Sequence, residues 1–503
     1  MTVAQVLTAL RDITTDASAA GRLAPEGTVS AVIYDSRRAV AGSVFVALRG
    51  LKADGAQFAA QAAMRGASLI VAEIPPPDGA ETAWLVVSDA RLALALLADA
   101  FYGHPSRRMP VIGVTGTNGK TTTAYLLASI LDAAGRKAGL LGTVTYRIGA
   151  EEREASRTTP EAPDVQQLLD EMIRQGCKSA VMEVSSHALA LKRVDGMRFA
   201  AGIFTNLTRD HLDFHEDMET YFQAKRRLFE LLPEDAPGII NLDDPRGATL
   251  VDVSHQVVTF AIGRAADVTP GPLAFTLSGL TFDVRTPRGT VRVESRLVGR
   301  PNVSNILAAA ATAIAIDLPL EAIAEGVRAL PGVPGRFEVV SAPTDEVTVV
   351  VDYAHTDDAL RNLLETARPL APKRLVTVFG CGGDRDATKR PLMGMVAARL
   401  SDVVVITSDN PRSEDPQRII DEIKRGIPAG GQGVRAPDVR AIVDRRDAIE
   451  RAVEQAEAGD VVLIVGKGHE KYQQIGDRVL PFDDGEIARQ GLDRRRKRAA
   501  GKR

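Results

Sequence analysis

The sequence predicts a three-domain α/β protein: a smaller α/β unit followed by two open, mostly parallel sheets. Three observations carry that expectation. A chain of 503 residues exceeds what one hydrophobic core can hold, and size alone suggests about three domains. Short apolar runs alternate with helical stretches along the chain, the pattern of parallel sheets covered by helices. Two joints rich in proline and glycine, "YGHPSRRMP" and "LPGVPGRFE", interrupt the alternation. They set the expected domains at 1–108, 109–333 and 334–503.

In the first unit, "VSAVIYDSR", "SVFVALRG", "ASLIVAE" and "AWLVVSD" read as strands, with "GAQFAAQAAMRG" as a helix among them. From Val111 the order becomes strand, glycine loop, helix ("TTAYLLASILDAAG") and strand ("KAGLLGTV"), a βαβ unit. "CKSAVMEVSS" and "FAAGIFTNL" add two buried strands, and "RLVGRPNVSNILAAAATAIAI" a long helix of small residues. Past the second joint, "VTVVVDYAH", "RLVTVFGCGG", "DVVVITSDN" and "DVVLIVGKG" describe a Rossmann-like sheet with ligand loops at its strand ends.

Composition narrows the class. Hydrophobic residues at 45% and charged residues at 25% describe a soluble globular protein. The net charge of −3 gives no reason to expect nucleic acid or an anionic membrane as partner. Two cysteines are too few for a disulfide framework and fit a reducing cytosol. No signal peptide and no membrane span is expected, so a cytoplasmic protein is.

"VIGVTGTNGKTTT" carries the first chemistry. A strand that stops at a glycine loop and restarts as a helix aims backbone N–H groups and the helix dipole at one anion. Lys120 can reach terminal phosphates, and the hydroxyl of Thr121 or Thr122 can hold Mg²⁺. Yet the usual pattern wants a glycine at Val114, and here the first glycine is Gly116. Glu183 ends a buried strand, where a carboxylate can hold Mg²⁺ opposite the loop. Five of the seven histidines, His211 among them, fall at or just after strand ends.

In order along the chain, "TGTNGKTTT", "RTTP", "MEVSSHAL", "TNLTRDHLDFH", "YFQAKRRLFE", "GRPNVSNILAA", "GRFE", "DYAH", "GCGGDRDATKRPLMG", "DNPR" and "GKGHE" resemble the motifs of the Mur ligases. The shortened loop is the form that family uses. The resemblance implies an ATP-dependent ligase of peptidoglycan synthesis acting through an acyl phosphate. Its substrates would be UDP-N-acetylmuramoyl-L-alanyl-D-glutamate and meso-2,6-diaminopimelate, and it would work as a monomer with Mg²⁺. Gly116, Thr117, Asn118, Gly119, Lys120, Thr121 and Thr122 would then cradle ATP, with Asn302 near the adenine and Arg336 and Asp352 approaching from the joint and third domain. Lys120, Glu183, His211 and Lys225 would be catalytic; Thr121, Glu183, His211 and Lys225, the last as a carbamate, would hold metal. From the residues alone, Lys225 reads as a solvated lysine beside Arg226 and Arg227.

The resemblance also implies that Ser36 and Arg37 bind the uridine end and that Thr158, Thr159, Ser185 and Arg193 hold the sugar-peptide. Leu191, where some members carry glutamine, is left outside the site. Asp409, Asn410, Pro411 and Arg412 form a strand-end loop in which Arg412 presents a planar fork suited to a carboxylate. In the family, "DNPR" marks diaminopimelate enzymes, and Arg390, Gly466 and Glu470 match positions that hold the amino acid, Arg390 at a carboxylate and Glu470 at an ammonium. Competing readings are a folylpolyglutamate synthase, an oxidoreductase with "FGCGGDRD" as a dinucleotide loop, and a nucleic-acid arm in "RRRKR". That basic run reads better as a disordered, solvated tail.

Overall fold

The computed structural model describes residues 1–18, 23–50, 54–276, 278–428 and 437–500. Each apolar run above forms a strand, and three mostly parallel sheets succeed one another along the chain. The first sheet runs in the order Thr14–Asp16, Ala83–Val87, Ala67–Ala72, Ser43–Val46, Val32–Ile33, parallel except at its first strand.

The second sheet orders Gln256–Phe260, Pro237–Asn241, Phe199–Phe204, Val111–Thr115, Ser179–Glu183 and Ala138–Leu141 in parallel. A hairpin, Thr145–Ile148 with Glu151–Glu154, extends it antiparallel. Val111–Thr115 and Ser179–Glu183 are buried throughout because helices cover both faces, which is why their sequences show continuous apolar runs. The alanines at 308–311 keep the Arg300–Ala315 helix slim where it lies against the Lys120–Ala133 helix.

A further sheet has no counterpart among the expected strands. Thr269–Pro270, Ala274–Thr276, Gly279–Thr286 and Gly289–Ser295 form an antiparallel sheet. Leu280, Phe282 and Val284 alternate with more exposed neighbours and join the central core, the period of a half-buried strand.

The third sheet orders Glu338–Val339, Thr348–Asp352, Val461–Val465, Leu375–Phe379, Val403–Ile406 and Asp438–Ala441, antiparallel only at its first strand. The expected tail is corrected here. Arg494–Arg498 lie within the Asp484–Ala500 helix, and of the expected tail only 501–503 fall outside the described residues. Arg494 pairs with Glu450 and Glu454, Arg496 with Asp345, and Arg495 Nη1 donates to the carbonyls of Val453, Glu454 and Ala456. The carboxylates and helix-end carbonyls that receive these arginines come from elements distant in sequence.

This helix is anchored at its start by Asp484, which receives Arg445 Nε at 2.8 Å and Nη2 at 2.6 Å with both side chains fully buried. Removing one member strands a buried charge, so Asp484→Ala is expected to cost about 3–5 kcal/mol. Denaturant unfolding checks it, and a loss under about 1 kcal/mol would contradict it. Among the described residues no helix is long and apolar enough to cross a membrane.

Candidate active site

The glycine loop leaves Val111–Thr115 and enters the Lys120–Ala133 helix as expected. Gly116 is required where it stands. Its φ is +143°, and a β-carbon there would lie 1.9 Å from Thr205 Oγ1. Lys120 Nζ donates to the carbonyls of Gly116 (3.0 Å) and Thr117 (2.8 Å). Thr122 is buried in the first turn of the helix.

Glu183 is buried and fully engaged. Oε2 accepts from Thr121 Oγ1 and Thr143 Oγ1, each at 3.0 Å, and Oε1 accepts from Thr143 N at 2.8 Å. Thr143 was not anticipated; it stands just past the Ala138–Leu141 strand, in the strand-end position that marks the other ligands.

Lys225 overturns the solvated reading. The Met218–Glu230 helix is capped by Asp217, which accepts from Thr220 N, and buries Tyr221, Phe222, Lys225, Leu228 and Phe229 on one stripe. Lys225 is 1% exposed. Its Nζ donates to Gly116 O at 2.7 Å and lies 4.3 Å from the Tyr221 ring centroid. Burial, and then the charge of Lys120, push its ammonium well below the ordinary lysine range, with Asp210 opposing. The stripe could have revealed this, since 221, 225, 228 and 229 share a helix face.

His211 has φ +54° at the start of the Leu212–His215 turn, with Nε2 3.3 Å from Asp210 Oδ2. Burial drives it below the usual imidazole range, so it is a neutral nitrogen donor at pH 7. His187 packs edge-on against its ring with centroids 4.8 Å apart, and the buried His215 in turn packs on His187.

A cavity of about 750 Å³ opens over these groups between the second and third sheets. Asn118, Glu183, His211, Asn302, Arg336 and Asp352 line it, with apolar walls from Phe275, Val298, Leu363 and Leu370. Arg336 lies over the Tyr353 ring at 4.4 Å, and its Nη2 is 3.3 Å from Thr121 Oγ1. Asp352 accepts Phe337 N and Ala354 N, each at 2.7 Å, so its carboxylate pins the joint to the third sheet. Asn302 donates to Val298 O and accepts from Asn305 Nδ2. The P-loop already meets the third sheet's unit, through Asn118 Nδ2 to Asp358 Oδ2 at 3.3 Å.

Thr158, Thr159, Ser185 and Arg193 are brought together beside this cavity. Thr158 Oγ1 is 3.0 Å from Thr143 Oγ1, and Thr159 Oγ1 donates to Glu183 O at 2.8 Å. Arg193 donates to Thr159 O and pairs with Glu161. Ser185 caps the Ser186–Ala190 helix through Ala188 N. Ser36 and Arg37 do not line the cavity. Ser36 donates to Gln61, and Arg37, largely exposed, pairs with Asp35. Their neighbours Tyr34 and Arg38 contact Asp164 of the Ala162–Arg174 helix.

At the third sheet, Asn410 Nδ2 donates to Glu470 Oε2 at 2.9 Å, while Gly466 lies against Asp409. Arg412 Nη1 donates to Gly383 O at 2.7 Å, and no carboxylate pairs with it among the described residues. Pro411 closes the gap to the glycine loop: a β-carbon at Gly383 would lie 1.9 Å from Pro411 O. These glycines therefore serve loop-to-loop packing, which removes the dinucleotide-loop reading of "FGCGGDRD".

Arg390 is corrected. It is 1% exposed, with its guanidinium on Glu414 (2.8 and 2.9 Å), Glu422 (2.7 Å) and Gly382 O (3.3 Å). Such a guanidinium braces the loop and leaves no face for a ligand carboxylate. The exposed arginine of the same stretch is Arg385, which flanks Gly382 opposite Arg412. A spacing argument could not choose between them, because burial of Arg390 depends on two glutamates from another element.

Residues 28–102 match the "Mur ligase family, catalytic domain", 114–313 the "Mur ligase middle domain" and 335–468 the "Mur ligase, glutamate ligase domain". A Gloeobacter violaceus protein named UDP-N-acetylmuramoyl-L-alanyl-D-glutamate–2,6-diaminopimelate ligase is 47% identical over 94% of this chain and 96% of its own length. The chain belongs to the Mur ligase family. A Mur ligase of the same name from Bacillus licheniformis is 44% identical over 98% of this chain and 99% of its own length. A solved structure so named superposes with a TM-score of 0.67 at 33% identity, covering 96% of this chain and all of that one. The folylpolyglutamate synthase of Mycobacterium tuberculosis shares the fold at 18% identity and a TM-score of 0.62, covering 80% of this chain and 94% of that one.

Proposed function

We propose that this chain joins meso-2,6-diaminopimelate to UDP-N-acetylmuramoyl-L-alanyl-D-glutamate at the expense of ATP, with residues 1–108, 109–333 and 334–503 as its domains. The observation that carries the reading is the convergence of Lys120 and Lys225 on the Gly116 carbonyl, next to the cavity that Lys120, Glu183 and Arg336 line. ATP lies along the loop, its base toward Asn302 and the apolar wall. Lys120 and Arg336 stabilise the charge that builds on the transferring phosphoryl group, which passes to the side-chain carboxylate of D-glutamate. The amine then attacks the acyl carbonyl, and phosphate leaves.

Oxygen donors suited to Mg²⁺ adjoin the loop: Thr121 Oγ1 and Glu183. No group of three or more His, Cys, Asp or Glu among the described residues is placed to hold a metal alone, so phosphate oxygens would complete the shell. Mg²⁺ would neutralise phosphate charge, with His211 and carbamylated Lys225 as further donors. A neutral Lys225 amine is the form that adds CO₂, releasing one proton and giving an anion in place of an uncharged amine.

The UDP-sugar-peptide is read as a track from Ser36 and Arg37, past the Tyr34–Asp164 contact, to Arg193, Thr159 and Thr158. The test is phosphate release from ATP. It is expected only with both the UDP-dipeptide and diaminopimelate present; release that ignores either substrate would sink the proposal.

A further inference from the structure

In "VGKGHEKY" a lysine between glycines follows a strand, which has the form of a second phosphate turn. The structure assigns Lys467 elsewhere. Its side chain is fully buried, with Nζ donating to Asn410 Oδ1 at 2.9 Å and Glu470 Oε2 at 3.1 Å. Gly466 has φ +117°, and a β-carbon there would lie 2.6 Å from Asp409 Oδ2, so glycine lets this strand end close on the Asp409–Arg412 loop.

Two consequences follow for the ligand side. Asn410 Oδ1 also accepts Gln474 N at 2.9 Å. With two donors on the oxygen, the carboxamide cannot reverse, and Nδ2 must face Glu470. Glu470 Oε2 is occupied by Asn410 and Lys467, whereas Oε1 accepts nothing among the described residues.

We propose that Lys467 is the positioning residue of the amino-acid subsite, holding Asn410 and Glu470 so that Glu470 Oε1 receives the ammonium at the end of the diamino acid remote from the new bond. The carboxylate of that same end goes to Arg412. The inference rests on the ligase reading above and adds what orients the subsite.

Charge supports the geometry. Burial pushes the Glu470 carboxyl above its ordinary range; Lys467 opposes that push and Asp409 adds to it. Arg445, Tyr353 and Tyr472 also face it. Glu470 must be ionised to receive an ammonium. Without Lys467 it would stay protonated to higher pH, so the acid limb of kcat/KM for the diamino acid moves upward.

The experiment compares wild type, Lys467→Met and Lys467→Arg, measuring kcat, KM for each substrate, and the pH profile of kcat/KM for diaminopimelate. Lys467→Met is expected to raise KM for diaminopimelate about tenfold or more, a loss typical of a charged hydrogen-bonding partner. KM for ATP and the UDP-dipeptide should not change, and the acid limb should rise by about one pH unit. Lys467→Arg keeps the charge and should keep the limb at the wild-type position. Unchanged KM and limb in Lys467→Met, a uniform rise in all three KM values, or a limb displaced equally in both variants overturns the proposal. If Lys467→Met does not fold, Glu470→Gln carries the test: the acid limb must vanish, and its persistence overturns the role. Wild type that fails to ligate diaminopimelate would instead remove the ligase reading, which keeps the two failures distinct.

Discussion

Lys225→Ala is expected to lower kcat by roughly a hundredfold or more, the cost of losing one preorganised charge from a water-poor site. The reason lies in what surrounds the amine. Lys225 sits beside Lys120 with its nitrogen on the Gly116 carbonyl, and burial with that neighbouring charge disfavours its protonated form. An uncharged buried amine is the nucleophile that CO₂ requires, and the resulting anion would offset the two cations near the phosphates. High bicarbonate is therefore expected to restore part of the activity of the alanine variant by placing a free anion in the vacated space. The measurement is product formation against bicarbonate concentration. Full activity without bicarbonate would refute both the role and the modification.

Arg412→Ala is expected to lose at least about tenfold in kcat/KM for meso-diaminopimelate, since a charge-assisted hydrogen bond contributes roughly 1.5–3 kcal/mol. The backbone of Arg412 is held at φ +50° by the Tyr472–Pro481 hairpin, through its N–H to Gln474 O and its carbonyl to Gly476 N. Its guanidinium spends one N–H on Gly383 O and meets no carboxylate among the described residues. A cation held in place with no carboxylate in direct contact suits the carboxylate that diaminopimelate has and lysine lacks. Ligation of diaminopimelate against L-lysine, in both forms, decides it. Wild type preferring lysine, or the variant keeping its discrimination intact, would reject the assignment.

Much of the fold was legible in the sequence because parallel strands buried on both faces must be continuously apolar. Ser179–Glu183 and Val461–Val465 stand out for that reason, and the loops that follow them carry the polar groups. The glycine loop was legible too, since its geometry is local: strand, turn and helix start lie within a dozen residues. The antiparallel sheet over 269–295 was not legible in the same way, because its strands are short or only half-buried and show alternation in place of a continuous apolar run.

What the sequence by itself determined is the set of residues with chemistry and the strand ends that present them. What only the tertiary structure decided is which of these face a ligand. Arg390 and Arg385 lie five residues apart in one basic stretch, and Glu414 and Glu422 turn one into a brace while leaving the other exposed. Lys225 looks like a surface lysine and Lys467 like part of a glycine turn until helix and strand packing buries them, one on Gly116 and one between Asn410 and Glu470. Burial and pairing depend on elements distant in sequence, and those two quantities set whether a charge is a ligand, a brace or an uncharged nucleophile.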